Sequence, residues 1–295
     1  MILNVSGRTD ILAFYSKWFI NRLEAGFVDV KNPFNPKLIS RIFFKDVDAI
    51  LFCTKNPLPI IPYLEKIDKP MVFHVTITPY GKDIEPNVID KRKIIAGIKD
   101  ISKIIGSDNI FVRYDPVFIN RNYTLDYHIK AFEKLCILLN GYIKGFIVSF
   151  LDDYKNVQKN YHILKPQIWS NEDYKKFGLS FCSLASKYNL TVQTCCENKN
   201  LIEYGFIKGE CMSKKMAEKL TNKTKLKKWK ARKKSACECV EMVDIGGYNT
   251  CNHLCKYCYA NYDENQISKN IKLHDSLSSL LIGNDTHDCK VVIRR

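Results

Sequence analysis

A chain of 295 residues that is 46% hydrophobic and 26% charged can bury one large core, or a core with a small appendage, which excludes disorder and a disulfide-stapled miniprotein. Forty-six Lys and Arg against 31 Asp and Glu give a formal charge of +15, which favours an anionic partner without naming it. The opening MILNVSGRTDI lacks a basic and apolar leader, and no apolar run approaches the roughly 18 residues that cross a bilayer. A soluble cytoplasmic protein with no membrane partner is expected.

Taken in chain order, the first two hundred residues repeat one unit: a short apolar, β-branched run, a polar turn, and a segment of helical period. The predicted strands are Ile2 to Ser6, Ala49 to Thr54, Val72 to Thr78, Ile110 to Tyr114, Phe146 to Phe150 and Leu190 to Thr194. Predicted helices run from Ile11 to Ala25 before Gly26, Asp90 to Ile105 before Gly106, Thr124 to Leu139 before Gly141, and Asn171 to Tyr188. Strands buried on both faces and separated by helices belong to a parallel α/β sheet, as a (β/α) barrel or a doubly wound sheet. No Gly-rich dinucleotide loop follows the first strand, so the six units favour a TIM-like barrel, partial or closed. Residues 1–197 carry these units. Residues 198–239 form a basic, cysteine-containing connection, and 240–295 hold a seventh apolar run, Val240 to Ile245, a cysteine loop and a polar tail.

Eight of the twelve cysteines fall between Cys195 and Cys258, and in a reducing cytosol such crowding points to metal ligation. The densest group is Cys251-Asn-His-Leu-Cys255-Lys-Tyr-Cys258, a C-x3-C-x2-C spacing with an aromatic residue before the last thiol. Three thiolates on one loop can each hold one iron of a cubane [4Fe-4S] cluster and leave the fourth iron open. A structural zinc ion would need a fourth ligand, from His253 or a distant cysteine.

This triad resembles the signature of the radical S-adenosylmethionine superfamily. The resemblance implies that the open iron binds the amino and carboxylate groups of S-adenosylmethionine, and that reductive cleavage gives methionine and a 5′-deoxyadenosyl radical. It also implies an electron donor such as flavodoxin or ferredoxin, with the substrate unknown. A closer resemblance runs along nearly the whole chain, on Ser6-Gly-Arg-Thr-Asp-Ile11, Thr54-Lys-Asn-Pro57, Thr76-Ile-Thr-Pro-Tyr-Gly81, Arg113-Tyr-Asp-Pro116, Cys237-Glu-Cys239 and Asp244-Ile-Gly-Gly-Tyr-Asn-Thr-Cys251. These segments look like domain-of-unknown-function family 1848, described by a C-terminal cysteine cluster like the N-terminal one of radical S-adenosylmethionine enzymes. The inverted order suggests a circular permutation, in which Val240 to Ile245 lies beside Ile2 to Ser6 and brings the triad over the C-terminal mouth.

Cys195 or Cys196, Cys211, Cys237 and Cys239 make a second candidate set, an auxiliary [4Fe-4S] cluster or zinc. The family pattern, with cysteine directly after threonine, selects Cys195. Active sites of (β/α) barrels gather where strands end, which singles out Ser6, Arg8, Asp10, Thr54, Lys55, Asn56, Thr76, Thr78, Tyr80, Arg113, Asp115, Ser149 and Glu197. By residue type, Arg8, Lys55 or Arg113 suits a carboxylate or phosphate, Asp10 or Asp115 an ammonium or ribose, and Ser6, Thr78 and Ser149 are neutral donors. An internal Arg113–Asp115 ion pair is the structural alternative, and Tyr80 and Glu85 also read as turn chemistry. His74 and His128 read as core residues. From Lys214 to Lys234, eleven Lys or Arg against Glu218 alone supply +10, with Trp229 among them. That segment is a candidate nucleic-acid contact or a solvated charged helix, and a metal-stabilised nucleic-acid-binding protein without catalysis is the alternative function.

Overall fold

All six runs become strands, with limits within three residues of those expected. The computed structural model describes residues 1–209, 211–223, 239–284, 286 and 288–294. Its strands are β1 Ile2–Val5, β2 Phe27–Asn32, β3 Asn35–Phe43, β4 Ala49–Thr54, β5 Met71–Thr76, β6 Ile110–Val117, β7 Gly145–Phe150, β8 Thr191–Cys195, β9 Ile207–Gly209, β10 Met242–Asp244 and β11 Lys290–Ile293. The α-helices are α1 Ile11–Phe14, α2 Ser16–Ala25, α3 Lys91–Ile105, α4 Leu125–Leu139, α5 Lys155–Gln158, α6 Tyr161–Leu164, α7 Asn171–Lys187, α8 Lys214–Thr221 and α9 Glu264–Lys272.

The main sheet has eight strands in the order β10-β1-β4-β5-β6-β7-β8-β9, and every neighbouring pair is parallel. The fold is mixed α/β on a parallel sheet. The run Val240 to Ile245 does supply a strand beside β1, with Ile2, Leu3 and Asn4 opposite Met242, Val243 and Asp244. Just beyond the two edge strands, the amide of Val240 donates to the Met212 carbonyl at 3.0 Å.

Side chains alternate across a strand, so each strand feeds two layers. Leu3, Val5, Ile50, Phe52, Phe73, Val75, Val112, Tyr114, Phe146 and Val148 join the large cluster beneath the helices. Ile2, Ala49, Leu51, Val72, Phe111 and Ile147 meet Cys211, Met212, Ala217, Cys239 and Val240 in a smaller cluster on the other face. Further along the strands this second face turns polar, through Asn4, Cys53, His74, Arg113, Ser149 and Asp244. The helical layer is held by aromatic packing: Phe181 stacks on Phe132 at 3.9 Å and on Phe177 at 3.8 Å, and all three are fully buried. Phe181→Ala there costs about 3–5 kcal/mol.

Three differences from the expected elements matter. The helix expected from Ile11 to Ala25 breaks at Tyr15, which leaves helical dihedrals and donates its hydroxyl to the Thr250 carbonyl at 2.6 Å. Tertiary contact with the cysteine loop thus overrides a continuous helical pattern. An unpredicted antiparallel pair, β2 with β3, follows Gly26, in a stretch whose Asn-Pro steps at Pro33 and Pro36 weaken any strand signal. Arg41 clamps it by donating to both Asp29 carboxylate oxygens at 2.8 Å. The polar tail is also anchored, since β11 pairs with β3 and the Trp18 indole donates to the carbonyls of Ser278 and Leu280. Among the described residues, no helix is long and apolar enough to cross a membrane.

Candidate metal centre and strand-end site

The loop after β10 begins where two glycines allow close approach. A side chain at Gly246 would run into the Ser6 hydroxyl, so the cysteine loop leaves the sheet packed on the turn that follows β1. Ser6 is busy within that turn: its oxygen accepts from the amides of Thr9 and Arg8 at 3.2 and 3.3 Å. The loop is then pinned from inside, because the Asn261 side-chain oxygen accepts from the amides of Thr250 and Cys251 at 2.7 and 2.8 Å. The same amide group donates to the Arg8 carbonyl at 3.0 Å and to Cys258 Sγ at 3.7 Å.

Cys251 and Cys255 are buried and Cys258 is half-buried. The three thiols lie within electrostatic reach of one another. Burial, then Asp10 and the neighbouring thiols, drive the Cys251 thiol far upward, while burial pushes Cys255 up to about 12 against the pull of Lys55. Deprotonating them requires a strong local positive charge, which a bound metal provides. Among the described residues, no group of three or more His, Cys, Asp or Glu side chains stands at metal-ligand spacing. Donor chemistry nevertheless fits an iron–sulfur cluster: three soft thiols on one braced loop, with an amide N–H already directed at one sulfur.

Two carboxylates hold the loop, and Lys55 touches both. Asp10 caps α1 through the Ala13 amide at 3.0 Å, accepts from the Lys55 amide at 2.7 Å, and accepts from His253 Nε2 at 2.8 Å. The ring of His253, raised from sequence as a zinc ligand, is turned to Asp10 and packs on Phe14. Glu85, 1% exposed, accepts from Thr78 Oγ1 at 2.5 Å, Lys55 Nζ at 2.9 Å, Lys91 Nζ at 2.5 Å and the Tyr257 hydroxyl. Burial alone would raise the Glu85 carboxyl, but Lys55, Lys91 and Thr78 outweigh it and hold it at about 2. Backbone bonds reinforce this contact: Lys256 N–H donates to the Ile84 carbonyl, and Asn87 donates to the carbonyls of His253 and Asn252.

The expected strand-end cations already have internal partners. Arg8 lies 3.4 Å from Asp244 and donates to its carbonyl, and Lys55 pairs with Glu85. Arg113 donates to Asp115 through Nε at 2.6 Å, as the two-residue spacing on one face of β6 allows, and donates to Cys211 Sγ at 3.2 Å. These side chains form ion pairs where the sheet brings opposite charges together and water is scarce. Thr78 is committed to Glu85, and Ser149 stands half-buried on β7. Tyr80 is a fully buried core residue whose hydroxyl donates to Pro116. His74 and His128 are fully buried, as expected.

In the second thiol set, Cys195 ends β8 and Cys211 lies two residues beyond β9, its neighbour, so their sulfurs meet in a disulfide. The Cys211 amide donates to Cys239 Sγ at 3.1 Å. Three of the four expected thiols therefore converge, two of them joined as a disulfide beside the third sulfur. Cys196 is exposed. Cys237 and most of the basic segment, including Trp229, lie outside the described residues. Glu197, just past β8, accepts from the Phe150 amide at 2.9 Å, and burial, aided by Asp152 and Asp115, raises its carboxyl to about 7.

Sequence reasoning undervalued Glu85 and missed Tyr257 as its partner. The only available signal was the aromatic residue inside the thiol motif.

Together, a parallel α/β sheet and a thiol loop over its strand ends define the class. The chain belongs to a family described as domain of unknown function (DUF1848), which matches residues 2–260. No curated protein matches it.

Proposed function

We propose that this chain is an iron–sulfur protein of the radical S-adenosylmethionine type, an enzyme with a [4Fe-4S] cluster on Cys251, Cys255 and Cys258. The observation that carries the reading is positional. Because β10 runs parallel beside β1, its following loop carries three thiols over the strand ends that also present Asp10 and Lys55. On this reading the sheet is a barrel closed near the Met212–Val240 bond, and the cluster-bearing strand is displaced to the end of the chain by circular permutation.

When bound, the cluster and S-adenosylmethionine supply reductive generation of an organic radical, chemistry that is the cofactor's own. The protein's part is support. Asp10 orients His253 and the start of the Lys55 turn, Glu85 orients Tyr257 between Cys255 and Cys258, and Asn261 directs an N–H at Cys258. Hydrogen bonds of this kind to the residues around the thiols fix the orientation of the ligands. With the Cys195–Cys211 disulfide reduced, those two thiols and Cys239, joined by Cys237, would supply the ligands of an auxiliary cluster or a zinc ion. The reading calls for a reducing cytoplasmic setting, an electron donor such as flavodoxin or ferredoxin, and an unassigned substrate.

Anaerobic reconstitution followed by iron and sulfide analysis tests this directly. The expected result is a brown protein whose electron paramagnetic resonance spectrum changes on adding S-adenosylmethionine, and which releases 5′-deoxyadenosine with dithionite. Cys255→Ala should lose that response. A colourless chain holding only zinc would overturn the reading in favour of a metal-stabilised nucleic-acid-binding protein.

A further inference from the structure

The buried group around Glu85 does not balance. Two ammonium groups, Lys55 at 2.9 Å and Lys91 at 2.5 Å, meet one carboxylate, and the other hydrogen-bond donors to that carboxylate, Thr78 and Tyr257, are neutral hydroxyls. One surplus positive charge is left in a site where Glu85 is 1% exposed and the Lys55 side chain 13%. Its position is set by the motif itself. Tyr257 stands between Cys255 and Cys258, its hydroxyl reaches Glu85, and Lys55 Nζ lies 5.4 Å above its ring. Asp10 brings its carboxylate to the same loop at His253, between Cys251 and Cys255.

We propose that Lys55, Lys91 and Glu85 form an electrostatic tuning site, whose surplus positive charge beside Cys255 favours the reduced state of the cluster held by the triad. This inference rests on the proposed cluster. Its physical basis is that reduction adds a negative charge, which a nearby cation stabilises in a poorly solvated site, and that net charge is one of the terms that set iron–sulfur potentials. The electrostatic influence of Lys55 at Cys255, and of Cys255 at both lysines, agrees with this placement. Lys55, Lys91 and Glu85 act as positioning and tuning residues.

The test exploits sign. Lys91→Gln removes the surplus charge and Glu85→Gln doubles it, so the two neutralising substitutions should move the midpoint potential of the reconstituted cluster in opposite directions. At a fixed potential, the ratio of reduced to oxidised cluster should fall about tenfold in Lys91→Gln, which corresponds to about 59 mV for one electron. It should rise in Glu85→Gln. Lys91→Arg, which keeps the charge at a partly exposed position, should hold the wild-type potential. Shifts of the same sign in the two Gln variants mark a merely structural disturbance and overturn the proposal, as does a Lys91→Arg potential equal to that of Lys91→Gln. Equal iron content with unmoved potentials overturns this inference alone. A wild-type chain that takes up no iron overturns it together with the proposed function.

Discussion

Asp10 and His253, 243 residues apart in sequence, are joined by a 2.8 Å hydrogen bond from Nε2 to Oδ2. The bond links the turn after the first strand to the middle of the thiol loop, so the loop's shape depends on the opposite end of the chain. Asp10→Ala leaves three N–H donors without their acceptor: His253 Nε2 and the amides of Lys55 and Ala13. Each buried donor left unpaired costs about 1–3 kcal/mol, and the lost helix cap about 1 kcal/mol. Urea denaturation should therefore show at least about 3 kcal/mol lost in Asp10→Ala, with less than half of that in Asp10→Asn. Similar stabilities for wild type and Asp10→Ala would show that the loop does not need this tie.

The Arg113–Asp115 pair makes a contrasting prediction. Each side chain is 19% exposed, and Arg113 also reaches Cys211. Asp115→Ala leaves a guanidinium poorly solvated and unpaired, which costs about 3 kcal/mol. Changing both residues to apolar ones of similar volume should recover much of that loss. A double variant as unstable as Asp115→Ala would mean that the pair contributes more than mutual neutralisation.

These two sites show what the sequence made legible. Arg113 and Asp115 are two apart on a strand, so period-two geometry offered their pairing as one of two readings. The strands themselves were visible as β-branched runs, and the Val240 to Ile245 run was placed beside β1 from its relation to the thiol motif. Glu85 was not legible in this way. It sits in a turn among Gly81 and Pro86, and its partners Lys55 and Tyr257 lie 30 and 172 residues away. Local pattern carries no information about such closure. The β2–β3 pair was hidden for a different reason, since prolines at a hairpin turn look like those of a long loop.

Acid stability should report on Glu85. Its carboxyl lies at about 2 in the folded chain against an ordinary 4.5, so the folded state binds its proton less readily than the unfolded one. The stability this group contributes is fully present above pH 4.5 and is lost as the pH falls from there through about 2. Glu85→Gln should be less stable than wild type at neutral pH, and the difference should shrink as the medium is acidified through that window. A stability difference that stays constant from pH 7 to pH 3 would remove the Lys55–Lys91–Glu85 group as its cause.

Glu197 has the opposite sign. Burial raises its carboxyl to about 7, with Asp152 and Asp115 adding repulsion and the Phe150 amide pulling the other way. A raised value means that the folded state holds the proton more tightly, so this group's contribution is fully present below pH 4.5. It is lost progressively as the pH rises to about 7. Between these limits wild-type stability should decline relative to Glu197→Gln, which keeps a neutral side chain able to accept from the Phe150 amide at every pH. The measurement is a pair of denaturation series at pH 5, 6, 7 and 8. Parallel curves across that range would show that the Glu197 carboxyl titrates normally, and that the strand-end acids do not repel one another in the folded protein.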